Sequence, residues 1–423
     1  MNRSRAMRSA GALVAGLVGA FALVSCSAAG KPEIRLGAIY PTGGAYGSAG
    51  VEEWRGAELA VDLANQRGGI DGRRLVFDLQ DAESPDYVPA ALDRLHAQGV
   101  NVVVGTHQSV LSTTAGVGAA QRGQLLWETG AVGETSADMG AGRFFFRMAP
   151  MGANLGRAAV DFVTSELSPK LADHPLRYAV AYVDDVYGRA VGQGALADAE
   201  ARGAPIAGSF PYRPGTTDFT GLVRQIAGSK PDVLVVAAYL QDGIALRQAT
   251  VAAKLPLLAS IGTSSSYCMP EFGQQLGQQA VGLFASDKPD ADVIRPDALL
   301  PGARTELAWA NAQYRARWHE DMSAPALSGF ANTWALVGHV LPAIPAGQAV
   351  TPATVASAAL ATKLPLGSLA NGSGLDLAPP GAADAGANRA AASVIWEWVA
   401  PGQRAVVWPP AFATAKLAVL PIL

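Results

Sequence analysis

Two cysteines in 423 residues, Cys26 and Cys268, are too few for a disulfide framework or a cysteine-built zinc site. Histidine is nearly as scarce. The five (His96, His107, His174, His319 and His339) are scattered, with no H-E-x-x-H pair to hold a metal, and no G-x-S-x-G turn offers a hydrolase nucleophile. Neither sign of charge dominates: 32 basic against 35 acidic residues leave a net −3, without a basic run, so nucleic acid is set aside as a partner. A dinucleotide fingerprint is also missing. Gly43, Gly44, Gly47 and Gly50 do not spell G-x-G-x-x-G, and Asp78 or Asp81 lies too far on for a ribose contact. No cofactor and no metal is expected.

What is present begins with an export signal. Arg3, Arg5 and Arg8 precede an apolar run from Ala10 to Val24 that is too short to span a membrane comfortably. It ends in Leu23-Val24-Ser25-Cys26, which resembles a bacterial lipobox, so Cys26 is the expected lipidation site. Residues 1–25 are then the signal and 26–32 a tether to the outer face of the cell membrane, stable because two or more acyl chains hold where one is marginal. With Cys26 lipidated, Cys268 stands alone and reads as a small, half-buried side chain. Close to 400 residues remain, more than one core usually serves, so two domains are expected.

The mature chain alternates strand and helix. Ile34-Arg35-Leu36-Gly37-Ala38-Ile39 is a strand, PTGGAYGSAG a glycine loop, and Trp54 to Ala64 a helix closed by Gly68-Gly69. Strands are also expected at 75–79, 100–104, 125–128 and 143–150, with helices between them, an order that argues for a parallel sheet with right-handed crossovers. The pattern restarts with a helix at 154–167 and strands at 178–183, 206–212 and 233–238. Two Rossmann-like α/β lobes joined by crossing segments make a cleft, and ligands collect at the carboxyl ends of such strands. Thr42, Tyr46 and Ser48 lie there.

The ordered segments RLGAIYPTGG, WRGAELAVDLAN, RGGIDGRRL, DAES, VVVGTHQS, YVDDVYGR and PGTTDFTGLV resemble the leucine/isoleucine/valine-binding protein family, the type I periplasmic substrate-binding proteins of ABC transporters. The likeness covers most of residues 33–288, thins between 290 and 360, and returns in the terminal VIWEWVAPGQRAVVWPP. It implies a clamshell with a three-segment hinge: 33–147 and 289–360 as lobe 1, 148–288 and 361–423 as lobe 2. It also implies a non-enzymatic monomer that closes on a small molecule and presents it to an ABC transporter permease. A ligand-sensing receptor of the same fold is the alternative.

The resemblance further implies a ligand-binding set. In lobe 1 these are Tyr46, Gln108, Ser109, Thr129 and Gly130; Ser109 matches the serine with which the family holds a ligand carboxylate, and a helix start there offers N–H groups as well. Val132 falls where the amino-acid binders place a threonine. In lobe 2 the set is Tyr187, Tyr239, Asp242 and Thr263. The loop from Gly262 to Ser266 lacks the carboxylate that pairs an α-ammonium group, so either Asp242 or Asp185 supplies that charge or the ligand has no ammonium. Amino acids, amides and small carboxylates all remain open. The Pro/Gly/Ala-rich stretch from Lys363 to Arg389 reads as a surface excursion.

Overall fold

Buried on both faces at every position but Arg35, β1 (Ile34–Tyr40) has the apolar continuity of a strand covered by helices on either side. The computed structural model describes residues 31–44, 47–263, 265–290 and 294–423. The export signal, Cys26 and Tyr46 lie outside the described residues. From β1 the chain runs through α1 (Gly47–Gln66), β2 (Leu75–Asp81), α2 (Val88–Ala97), β3 (Val102–Gly105), α3 (Ser109–Gln121), β4 (Leu125–Glu128) and β5 (Phe145–Arg147). These strands form a wholly parallel sheet in the order β2-β1-β3-β4-β5. Gly68 and Gly69 end α1 at φ of 99° and 68°, as the sequence predicts.

The second lobe follows: α4 (Gly152–Phe162), α5 (Ser168–Leu171), β6 (Tyr178–Val183), α6 (Val186–Ala201), β7 (Ile206–Tyr212), α7 (Thr220–Ser229), β8 (Val233–Ala237), α8 (Leu240–Ala252), β9 (Ala259–Thr263), α9 (Pro270–Leu276) and β10 (Phe284–Asp287). Next come α10 (Pro301–Trp318), α11 (Ala324–Trp334), α12 (Pro352–Ala361) and the hairpin β11 (Val394–Ala400) and β12 (Gln403–Trp408). The second sheet runs β12-β11-β10-β9-β8-β6-β7, with β11 and β12 antiparallel and the rest parallel. The two lobes of α/β architecture are therefore as expected. The chain passes between the sheets after β5, after β10 and again before β11, which gives the three hinge segments.

Where the resemblance was thin, packing decides the structure. Helix α11 lies against α1 at glycine distance: a Cβ on Gly56 would sit 1.9 Å from the Ala326 carbonyl oxygen, and one on Gly329 would sit 1.9 Å from that of Glu53. This contact returns the chain to the first lobe and holds the first turns of α1 in place.

The 363–389 stretch corrects the sequence reading. Instead of a surface excursion of the second lobe, it binds the outer edge of the first sheet. Arg147 N–H donates to the Gly386 carbonyl at 2.8 Å, and Asn388 N–H donates back to the Arg147 carbonyl at 2.9 Å. Leu369, Leu375 and Leu377 are buried. Its prolines and glycines suppress regular strands, yet its leucines find the core.

Candidate functional site

The carboxyl ends of both sheets open on one cavity of about 1050 Å³. From the first lobe come Ser48 and Glu52 in the first turns of α1, His107 and Gln108 in the loop before α3, and 321–325 entering α11. From the second come Asp185, the 214–217 turn, Tyr239, Asp242 and the 268–271 segment, while Asp287, Lys288, Asp290, Trp396 and Arg404 line the hinge side. Strand ends supply this wall for a plain reason. A loop that leaves a parallel sheet exposes polar side chains only there, because the faces are covered by helices.

Of the predicted residues, Gln108, Tyr239 and Asp242 line the cavity. Ser109, Thr129, Gly130, Tyr187 and Thr263 are buried behind its wall. Ser109 Oγ accepts the Gly133 N–H at 3.0 Å. Thr129 Oγ1 pairs with Tyr40 Oη at 2.9 Å and donates to Glu53 Oε1 at 2.5 Å. Gly130 N–H donates to Glu128 Oε1 at 3.0 Å, and its carbonyl accepts Lys288 Nζ at 3.1 Å. Tyr187 Oη shares a hydrogen with Thr263 Oγ1 at 3.0 Å. Thr42, by contrast, turns its N–H to Asp81 at 2.8 Å, whereas Ser48 does line the cavity.

Two buried carboxylates missed in the sequence organise the first wall. Glu53, fully buried, receives Thr129 and holds His107 Nδ1 at 2.5 Å, so the imidazole is fixed with its other edge free to turn to the cavity. Glu128, at the end of β4, accepts the N–H groups of Thr106, Gly130 and Ala131 at 2.9 to 3.0 Å. The loops after β3 and β4 are thus tied to each other through carboxylates that belong to the protein.

The second wall is more loosely satisfied. Asp185 caps α6 by accepting the Gly188 N–H at 2.9 Å and receives Tyr239 Oη at 2.8 Å. Tyr212 Oη donates to Asp242, whose carboxyl burial pushes above its ordinary value. Tyr187 and Tyr239 pack at a tilt with ring centroids 5.3 Å apart, and burial raises the Tyr187 hydroxyl well above its usual range. Cys268 is buried rather than half-buried; desolvation, then the Asp287 carboxylate, pushes its thiol well up, which makes it unreactive.

A carboxylate does stand beside the 262–266 loop, on the neighbouring strand: Asp287. Strand β10 pairs with β9 so that Ser286 lies opposite Thr263, and Asp287 emerges beside that loop. The strand-end rule that chose Tyr239 and Asp242 would have found it one strand later.

A family model described as periplasmic binding protein matches residues 33–394. The chain belongs to the periplasmic binding protein family. Among curated relatives of this periplasmic binding protein, the Leu/Ile/Val-binding protein homolog 8 of Brucella suis is 27% identical over 417 residues, covering 97% of this chain and 99% of that one. Two solved structures share the fold: a leucine binding protein from Thermotoga maritima (TM-score 0.69, 16% identity, 88% of this chain and 97% of that one) and a branched-chain amino acid transporter substrate binding protein from Streptococcus pneumoniae in complex with isoleucine (TM-score 0.67, 20% identity, 89% and 100%). An extracellular ligand-binding receptor from Rhodopseudomonas palustris HaA2 superposes with a TM-score of 0.73 at 15% identity, over 89% of this chain and all of that one. Among the described residues, no helix is long and apolar enough to cross a membrane.

Proposed function

We propose that this protein is a lipid-anchored, extracytoplasmic solute-binding protein that captures a small polar molecule between its lobes and delivers it to the permease of an ABC importer. The observation that carries the reading is the cavity of about 1050 Å³ walled by strand ends of both lobes. A ligand that touches both walls favours the closed form by contacts the open form lacks, which is the whole mechanism required; no bond is made or broken. The size and the polar groups set in a largely apolar lining admit amino acids, amides and small carboxylates. Cys26 carries the acyl anchor, and the protein works as a monomer.

The reading is tested in two parts. A bound solute raises the melting temperature by mass action, by about 2.7 kcal/mol of stability at one hundred times its Kd, so a thermal-shift screen across those classes should give hits. A Cys26→Ser variant should leave the membrane fraction. A screen without hits together with a Cys26→Ser variant that stays on the membrane sinks the proposal.

A further inference from the structure

The charge of the cavity wall is lopsided. Among the described residues that line it, Glu52, Asp185, Asp242, Glu271, Asp287, Asp290 and Asp321 face only Lys288, Arg404 and the imidazole of His107. Arg404 pairs with Asp290 at 2.6 Å, and Asp321 pairs with Arg315 at 2.5 Å. Asp185, Asp242 and Asp287 carry no ion pair among the described residues, and Asp287 Oδ1 is buried without a hydrogen-bond partner on a residue only 5% exposed. An unanswered buried carboxylate is costly unless a cation meets it. These three acids gather at the tilted pair of Tyr187 and Tyr239, and Tyr239, which lines the cavity, can turn its ring face to a cation as well. Leu240, Met269 and Trp396 line the same cavity beside these acids, apolar surface that suits an organic cation.

The groups that the resemblance assigns to a ligand carboxylate are meanwhile engaged inside the first wall. The Thr129 hydroxyl donates to Glu53, the Gly130 N–H donates to Glu128, and the buried Ser109 Oγ accepts the Gly133 N–H. What it presents instead is Glu52, whose Oε2 accepts the Ser323 hydroxyl at 2.6 Å. We propose that the cleft is built for an organic cation without an α-carboxylate, of the diamine class, with one ammonium group against Asp185, Asp242 and Asp287 and the other towards Glu52. This rests on the solute-binding reading and narrows its ligand. Such a dication bridges the lobes, and its methylenes lie along Leu240, Met269, Met322 and Trp396 of the cavity wall.

The test is calorimetric titration of the full chain with 1,4-diaminobutane and 4-aminobutylguanidine, beside leucine, butyramide and butyrate. The diamines should bind, and Asp287→Asn and Asp242→Asn, each checked for its fold by circular dichroism, should bind about tenfold more weakly or worse. Binding of leucine, butyramide or butyrate in place of the diamines overturns the proposal and leaves the solute-binding reading intact. Diamine binding that both Asn variants retain overturns it as well. If no probe binds, the diamine proposal falls, and the solute-binding reading is decided by the wider thermal-shift screen.

Discussion

The two walls of the cleft are made of similar residues and finished differently. In the first lobe the hydroxyl and N–H groups at strand ends converge on Glu53 and Glu128, so the loops after β3 and β4 are knitted by internal carboxylates. In the second, Asp185, Asp242 and Asp287 sit at the corresponding ends with one or two neutral partners each, and Asp287 Oδ1 has none. A buried carboxylate surrounded by donors is structural, since removing it orphans every donor. A carboxylate short of donors is poised for something from outside.

The comparison breaks most readily at Glu128. Glu128→Ala leaves three buried N–H groups unanswered and should cost about 4 kcal/mol in urea unfolding, whereas Asp287→Asn should stay within about 1 kcal/mol of the parent or exceed it. Equal losses in the two variants would erase the distinction between the walls. A smaller effect is expected at Ser109. Ser109→Ala deprives the Gly133 N–H of its acceptor and should cost about 1 kcal/mol of stability, and ligand affinity should follow only indirectly. A loss of affinity with stability unchanged would move Ser109 into contact with the ligand. At Tyr239 the order reverses: Tyr239→Phe removes the hydroxyl held by Asp185 and should change affinity several-fold with stability nearly intact.

The finest distinction is one of pH. The folded-state carboxyl of Asp242 is raised above its unfolded value, so its contribution to stability is fully present below the unfolded pKa of about 3.9 and is lost as pH rises through the folded pKa. Asp242→Asn should therefore gain on the parent at neutral pH, and the gain should vanish near pH 4, as read from melting curves at the two values. A gain that persists at pH 4 would mean the carboxyl titrates normally.

The fold was largely legible. Strands β4 and β6 fall where the apolar runs placed them, because a parallel strand buried on both faces leaves little choice of residue. The site was legible only to the depth of the backbone. Strand ends point to the right loops, but whether a hydroxyl there faces ligand or interior depends on partners far away in the chain. Glu52 and Glu53 show why. Adjacent on α1 and about 100° apart around its axis, one reaches the cavity and the other turns beneath it, and only the seat of α11 on Gly56 decides which. The 363–389 stretch was misread for a related reason, since nothing local in a proline- and glycine-rich segment reveals that the edge of β5 awaits it.

That edge has a consequence for how the molecule behaves among copies of itself. A parallel sheet that ended at Arg147 would expose a row of unpaired main-chain groups, a template on which another chain could grow. The segment bound there satisfies Arg147 in both directions, yet the prolines and glycines that flank it cannot carry the ladder another strand outwards. It works as a terminator: the protein spends its least strand-like sequence to end its own sheet.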